Sequence, residues 1–258
     1  MNNLDEKIRK FAQLIIDAKK IVVLSGAGMS TESGIADFRS PGTGLWEQVN
    51  PNEFASIHSY ISDTQKNLKF MLEMGMNIFK ARPNNGHKSL TKLQKLGKLE
   101  GILTQNIDGL HRKAHTKNII ELHGTVNEAI CMRCKEIYPI TTMINQVLKG
   151  NYSPSCEVCG GLLKPNAIFF GEPLHSETLV QADEMISDCD LLIVLGSSLL
   201  VYPVAFYPRK ALSAGAKLAI INIQHTDMDD NAEVVIHEKI GDIFPKIILL
   251  VEIELNKT

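Results

Sequence analysis

Four of the five cysteines fall in two Cys-x-x-Cys pairs, Cys131 with Cys134 and Cys156 with Cys159. Each pair, on a tight turn, can hold one edge of a tetrahedral ion. Two pairs complete four thiolates, the donor set of a structural zinc with no position left open for a substrate. Arg133, Lys135, Gly160 and Gly161 beside the pairs suit tight turns and partial offset of thiolate charge. A redox dithiol would need a single pair opening a helix after a strand, and neither pair does so. Cys189, left over ahead of an apolar run, reads as a structural thiol rather than a nucleophile.

A second constellation starts at Ser25. Gly26 and Gly28 follow the apolar run Ile21-Val22-Val23-Leu24, and Ser30, Thr31 and Ser33 supply hydroxyls. A strand, a Gly-x-Gly turn and polar caps form a phosphate cradle in parallel α/β proteins. Thr31 stands where the usual dinucleotide fingerprint has its third glycine. Gly34-Ile35-Ala36-Asp37-Phe38-Arg39 then adds an aromatic and a charged pair that a plain cradle does not need. Further along, Gln105-Asn106-Ile107-Asp108 follows a predicted strand. Its amides can read a carboxamide or a ribose hydroxyl, or Asn106 or Asp108 can cap a helix over 107–114. His123 ends another apolar run ahead of Gly124, where a neutral imidazole can accept a proton. Gly196-Ser197-Ser198 and Asn222 close two more strands. Histidines 58, 87, 111, 115, 175, 225 and 237 lack such a setting and read as surface or core.

The elements that must position these groups are legible from periodicity. Leu4, Ile8, Phe11, Ala12 and Ile15 mark an opening amphipathic helix. Strands are predicted at 21–24, 101–104, 118–122, 167–170, 190–195 and 217–221. Helices are predicted at 62–81, 85–97, 141–148, 176–188, after Pro203 and over 243–254, with mixed loop and short helical pieces at 40–60. Strand, polar turn and helix recur, which predicts an α/β fold: a Rossmann-like parallel sheet with helices on both faces. The chemistry-bearing turns at 25–30, 105–108, 123–124, 171–172, 196–198 and 222 all fall at predicted strand carboxyl ends, where open α/β sheets bind ligands.

The 258 residues, with 44% hydrophobic and 22% charged content and a formal net charge of −2, describe an ordinary globular chain. That balance, without a basic stripe, argues against direct nucleic-acid binding. No apolar run is long enough to span a membrane, and the N-terminus lacks a signal-peptide core, so the expected location is cytoplasmic.

Gly26-Ala27-Gly28-Met29-Ser30, Gly34 to Arg39, Thr104 to Asp108, His123-Gly124, the two cysteine pairs, Gly196 to Ser198 and Asn222 together resemble, in order and over nearly the whole chain, the sirtuins. These are NAD-dependent protein deacylases, and the short chain looks like a bacterial or archaeal member. The resemblance implies NAD as co-substrate, one structural zinc per chain and acetylated lysine in proteins or peptides as substrate. The acyl oxygen attacks the anomeric carbon as nicotinamide leaves. His123 then acts as general base on the ribose hydroxyls, with Asn106 as a second catalytic residue, so that the 2′-oxygen attacks the alkylimidate carbon. Free lysine and O-acetyl-ADP-ribose result. By matching position, Gly26, Ala27, Gly28, Ser30, Thr31, Asp37, Phe38 and Arg39 line the cofactor site. Phe38 lies at the nicotinamide end, in a mobile lid. Gln105, Asn106, Ile107 and Asp108 surround ribose and carboxamide. Gly196, Ser197, Ser198, Asn222, Ile223 and Asp242 hold the adenosine half. The peptide adds as a strand between Phe170-Gly171-Glu172 and Leu200-Val201-Tyr202. An apolar tunnel of Phe38, Phe54, Ile168, Phe170 and Val201 buries the lysine stem, contributing on the order of 3 kcal/mol.

Three positions depart from the family pattern. Ala36 replaces a frequent proline and Val204 a usual alanine. Leu45-Trp46-Glu47-Gln48 lacks the Tyr-x-x-Arg that holds acidic acyl groups, which favours uncharged ones. The implied division is a nucleotide domain of residues 1–39, 84–125 and 166–258, a helical lid insert over 40–83 and a zinc module over 126–165. Mono-ADP-ribosyl transfer or NAD hydrolysis at the same site, and a non-catalytic NAD- and zinc-binding module, are the competing readings.

Overall fold

The computed structural model describes residues 3–37, 42, 44, 45 and 49–257. Six parallel strands form its main sheet in the order β3-β2-β1-β7-β8-β9. These are β1 (Ile21–Ser25), β2 (Leu99–Thr104), β3 (Ile119–Glu121), β7 (Leu191–Leu195), β8 (Lys217–Ile221) and β9 (Val234–Ile236). β1 is central, paired in parallel with β2 on one side and β7 on the other. The chain therefore winds outward in one direction from β1 and later in the other, so the switch point lies between the ends of β1 and β7.

The apolar runs that mark these strands are continuous because both faces are covered. Alternate residues serve different cores. Ile21, Val23, Ile193 and Leu195 pack with Phe11, Ile15, Leu90, Leu93, Phe244 and Ile247. These belong to helices α1 (Asn3–Asp17), α5 (Asn85–Lys95) and α10 (Ile240–Leu255). Val22, Leu24, Leu192 and Val194 pack on the opposite face with Ala182, Ile186 and Ala211, from α8 (Ser176–Asp188) and α9 (Tyr207–Ser213). The start of α5 follows its sequence signal: the Asn84 side chain accepts from the His87 N–H, closing the break at Arg82-Pro83.

A second, antiparallel sheet has the order β5-β4-β6. It comprises β4 (Gly124–Cys131), β5 (Ile137–Pro139) and β6 (Leu163–Ala167). Its core is shared with helices α3 (Ile57–Ser62), α4 (Thr64–Lys80) and α7 (Ile140–Leu148): Tyr60 and Leu68 cluster with Ala129, Cys131, Met143, Val147 and Leu163. The Tyr60 hydroxyl donates to the Leu163 carbonyl at 2.6 Å. The cysteine-bearing segment and the helical insert thus make one smaller packing unit.

Several elements differ from the periodicity reading. The strand expected at 167–170 is β6, four residues earlier and in the antiparallel sheet. Leu163–Ala167 pairs with β4 on one side only, so Pro165 sits on an edge where its missing N–H costs no ladder bond. β4 and β9 were not anticipated. The helix expected over 107–114 is a single turn, α6 (Leu110–Lys113), and the last helix begins at Ile240 rather than 243. Pro51–Phe54 forms a further short turn, α2, within the expected mixed stretch.

Candidate active site

The ends of β1 and β7 meet backbone to backbone. Gly26 donates its N–H to the Leu195 carbonyl at 3.0 Å and Gly28 donates to the Gly196 carbonyl at 2.9 Å. A Cβ on Gly26 would lie 2.7 Å from the Gly196 carbonyl oxygen, and one on Gly28 would lie 2.9 Å from the Gly196 Cα. Gly196 itself has φ +64, and a Cβ there would stand 2.3 Å from the Met29 nitrogen. So the glycines are required by the approach of two loops. Of the N–H groups in the expected Gly26-Ala27-Gly28 cradle, those of Gly26 and Gly28 are already used within the protein. The N–H groups of Ala27, Ser197 and Ser198 have no acceptor among the described residues. They lie at the switch point, the place where open α/β sheets bind nucleotide phosphates.

The 105–108 stretch is built into this junction. The Asn106 amide donates to the Gly26 carbonyl at 3.0 Å and to Ser30 Oγ at 3.2 Å. Ser30 Oγ donates to Asp108 Oδ2 at 2.6 Å, and Asp108 Oδ1 accepts the Leu110 N–H at 2.8 Å. Asp108 thus satisfies the first N–H of α6, whose N-cap position is Gly109, and anchors Ser30. Burial raises its pKa, against which the Ser30 and Leu110 bonds act. Gln105 Nε2 donates to Ser197 Oγ at 2.8 Å, tying this stretch to the β7 turn. Ile107 is half-buried and its carbonyl receives the Val126 N–H from β4.

His123 lies between the two sheets. Its Nδ1 is 3.0 Å from the Gln105 carbonyl, which can only accept, so Nδ1 carries the hydrogen and Nε2 keeps its lone pair. Burial lowers the His123 pKa, with the Gln105 carbonyl opposing, so the ring stays neutral to lower pH than an exposed imidazole. Its own carbonyl accepts from Ile168 N–H at 2.8 Å. Gly124 follows with φ +72, where a Cβ would stand 2.0 Å from the Asn166 carbonyl oxygen. A neutral base with one fixed tautomer beside buried amides is suited to deprotonate a hydroxyl.

Thr31 Oγ1 caps the Gly28 carbonyl at 3.0 Å. Asn222, at the end of β8, is buried, and its amide donates to the Gln224 carbonyl at 2.7 Å. Ile223 is exposed, and Asp242 stands exposed in the first turn of α10. Asp37 is half-buried, and Phe38 and Arg39 lie outside the described residues, as do Trp46, Glu47 and Gln48.

Of the expected peptide-binding residues, Phe170 pairs with the segment beside α2. It donates to the Ala55 carbonyl at 2.8 Å and accepts from Ile57 N–H at 3.0 Å. Phe54 packs on Phe70 with ring centroids 4.3 Å apart. Phe170, Leu200 and Tyr202 are large apolar side chains left exposed, Val201 and Ile168 are half-buried, and Gly171 is a left-handed turn. Glu172 turns inward instead: its Oε2 accepts from Phe169 N–H at 2.9 Å and pairs with Lys164 Nζ at 3.0 Å. Lys164, which the sequence reading missed, is buried and also donates to the Pro165 and Ala167 carbonyls. Also missed were Glu32, whose carboxylate accepts the Gly241 N–H at 2.7 Å, and His111, whose Nε2 lies 2.9 Å from Ser25 Oγ. The Glu32 and His111 contacts join distant parts of the chain that no local pattern encodes, whereas the Lys164 contacts lie within eight residues of it.

The four sulfurs of Cys131, Cys134, Cys156 and Cys159 lie within 4.8 Å of one another. Cys131 and Cys159 are 3.5 Å apart and Cys134 and Cys156 are 3.6 Å apart. The sulfur–sulfur edge of a tetrahedral zinc thiolate is about 3.8 Å, so the donor set fits. Lys135 and Gly160 take left-handed turns at the knuckles. The N–H groups of Arg133 and Cys134 point at the Cys131 sulfur, and that of Gly161 at the Cys159 sulfur. Burial resists ionisation of Cys156, but the Tyr138 hydroxyl and the N–H groups of Cys159 and Val158 outweigh it and bring the thiol to about 6. The Arg133 guanidinium donates to the Cys159 carbonyl. Cys189 is buried, and burial raises its thiol to about 11, as expected of an inert core residue.

Comparison with known proteins places this geometry in context. The Sir2 family model matches residues 26–203. An NAD-dependent protein deacetylase of Thermodesulfovibrio yellowstonii is 39% identical over 252 residues, which is 96% of this chain and 97% of the relative. A solved structure of Sir2 with a p53 peptide and NAD+ matches with TM-score 0.86 and 36% identity, covering 95% of this chain and 99% of that one. A structure of Sir2 bound to acetylated peptide matches with TM-score 0.87 and 35% identity, covering 95% and 99%. With a family match over most of its length and a full-length relative of this similarity, the chain belongs to the Sir2 family.

Proposed function

We propose that the protein is an NAD-dependent protein-lysine deacetylase, transferring the acetyl group of a modified lysine to ADP-ribose with release of nicotinamide. The observation that carries this reading is His123. Its Nδ1–H is held by the Gln105 carbonyl, and its Nε2 is left as a base near the carboxyl ends of the parallel strands, where such sheets bind nucleotides. NAD, when bound, supplies a glycosidic bond that releases nicotinamide and a ribose diol that accepts the acyl group. The N–H groups of Ala27 and Ser198 and the Ser197 hydroxyl hold its phosphates and ribose. Asn106 orients the nicotinamide end through its free Oδ1. His123 Nε2 takes the proton of a ribose hydroxyl. Asn222, Ile223 and Asp242 face the adenosine half. The acetylated peptide lies along Phe170-Gly171 and Leu200-Val201-Tyr202, whose exposed apolar side chains support that placement. Glu172 shapes this edge from within through Lys164.

The four cysteines hold one structural zinc. The smaller unit comprises the helical insert of residues 40–83 and the module of residues 126–165, and the remainder binds the nucleotide. The absence of Tyr-x-x-Arg at 45–48 supports uncharged acyl groups. Among the described residues no helix is long and apolar enough to cross a membrane.

The test is nicotinamide production from NAD with and without an acetyl-lysine peptide, read with the peptide mass. The expected result is peptide-dependent release and loss of one acetyl group. His123→Ala should lower turnover about 10²–10⁴-fold. The acidic limb of the pH–rate profile should fall below the ordinary imidazole value, since burial lowers the His123 pKa. Gain of ADP-ribose on the target in place of acetyl loss, or unimpaired turnover in the alanine variant, overturns the assignment.

A further inference from the structure

The connection between β8 and β9, together with the residue that follows β9, brings together three metal-ligating side chains that the active site does not use. His225 Nδ1 lies 3.1 Å and His237 Nε2 lies 3.2 Å from the same oxygen, Asp229 Oδ2. The two imidazole rings are tilted by 55° with centroids 4.1 Å apart, and the three ligand atoms lie within 4.8 Å of one another. We propose that His225, Asp229 and His237 form a second metal site, separate from the four cysteines. It would take a divalent first-row transition ion of the imidazole-seeking kind, with Zn2+ as the probe.

The surrounding groups orient these ligands. His237 Nδ1 is 2.8 Å from the Asn222 carbonyl, which only accepts, so Nδ1 carries the hydrogen. The lone pair of the neutral ring then sits on Nε2 and points at the Asp229 carboxylate. Two lone pairs facing each other at that distance need a cation to join them, either a proton or a metal ion. Asp229 is held from behind: its Oδ1 accepts the Thr226 hydroxyl at 2.6 Å and the Thr226 N–H at 3.2 Å, leaving Oδ2 for the site. A carbonyl behind the histidine and hydrogen bonds behind the carboxylate are the supports that metal ligands require.

The spacing fits as well. Bonds of about 2.0–2.1 Å to nitrogen and oxygen around a tetrahedral ion put neighbouring donors about 3.3 Å apart. The two measured edges are close to that length. Two imidazoles and one carboxylate select Zn2+, Ni2+ or Cu2+ over Mg2+ and Ca2+, which take oxygen donors. The His225 side chain is 86% exposed, so an ion enters from solvent, and water completes the coordination.

The experiment uses the whole protein, purified with its cysteine-bound metal and exchanged into metal-free buffer. Bound zinc is first counted by mass spectrometry, and Zn2+ is then titrated by calorimetry. Wild type should bind one equivalent beyond its starting content. His225→Ala and His237→Gln should each weaken that equivalent about tenfold or more while leaving the starting content unchanged. His225 is exposed, so its alanine variant keeps the fold. In ring-nitrogen NMR spectra, Zn2+ should move the His237 Nε2 resonance and leave Nδ1 protonated. The proposal is overturned if no further equivalent binds, if it persists undiminished in both variants, or if His237 Nε2 stays protonated at saturating Zn2+. A starting content of zero would count against the cysteine site alone, because the difference between wild type and the histidine variants is read independently of it.

Discussion

Two histidines beneath the phosphate loop set how the protein should respond to acid. His87, in α5, and His111, in α6, are almost wholly buried, with ring centroids 4.9 Å apart. His87 Nδ1 donates to Asn84 Oδ1, and His111 Nε2 donates to Ser25 Oγ, whose own hydrogen goes to Thr104. The remaining ring nitrogens, His87 Nε2 and His111 Nδ1, are sealed from solvent without a partner. Both rings are therefore neutral in the native state. Burial lowers the His87 pKa to about 4; burial, then the charge of His87, lowers that of His111 to about 3.

Both folded-state values lie below the unfolded value of 6.5, so the unfolded chain binds protons first as pH falls. The neutral pair's contribution is fully present above pH 6.5 and is lost progressively below it, down to the native values. At pH 5 each unfolded imidazole favours unfolding by about 2 kcal/mol, about 4 kcal/mol for the pair. That is a large share of the roughly 5–15 kcal/mol that holds an ordinary domain. Urea unfolding followed by far-UV circular dichroism between pH 8 and pH 5 should show the loss, with a slope near 2–2.5 kcal/mol per pH unit between 6 and 5. The double variant His87→Gln, His111→Gln should flatten that slope whatever its absolute stability. Native ring protons that titrate near 6.5, a slope under about 1 kcal/mol per unit, or an unchanged slope in the double variant would refute the reasoning.

Gly196→Ala should cost about 3 kcal/mol or more and weaken NAD binding, because its Cβ meets the Met29 nitrogen at 2.3 Å in a left-handed backbone. Gly34→Ala, left-handed too but with open space around it, should cost only about 1 kcal/mol in the same denaturation assay. Lys164→Met should destabilise by about 3 kcal/mol and raise KM for the acetylated peptide more than KM for NAD, since it frees Glu172 and loosens the segment from Phe169 to Glu172. An unchanged peptide KM would remove Lys164 from any positioning role. Metal analysis should find about one zinc per chain on the cysteines, and chelation should lower the melting temperature as the three-stranded sheet loses its clasp. Full stability of metal-free protein would show that the cysteines are not a structural site.

The parts of the fold that were legible in the sequence are those whose burial is symmetrical. Ile21 to Leu24 and Leu191 to Leu195 read as strands because neither face reaches solvent, so every position is apolar. β4 was not legible because Thr125, Asn127 and Glu128 break any alternation, and because its partner β6 lies far along the chain. The run Ile168-Phe169-Phe170 looks more like a strand than Lys164-Pro165-Asn166, yet the latter segment is in β6. Backbone pairing with β4 made that choice, and the edge position tolerates the proline. β9 is three residues long, too short to carry a pattern.

In the candidate site, residue types were easier to read from the sequence than the contacts those residues make. Gly26 and Gly28 looked like an open backbone for phosphate, but their amides are consumed by Leu195 and Gly196. Their lack of side chains lets the β1 and β7 turns touch. That contact leaves the N–H groups of Ala27, Ser197 and Ser198 without an acceptor among the described residues. Asp108 looked like part of the ribose and carboxamide surround or a cap; it takes the first N–H of α6 just before the cap residue Gly109 and anchors Ser30, and through Ser30 it holds Asn106 in place. Residue type predicted the chemistry available at each strand end. Which atoms remain available for ligand depends on hydrogen bonds between turns as distant as Gln105 and Ser197, and those bonds exist only once the sheet has placed β1 between β2 and β7.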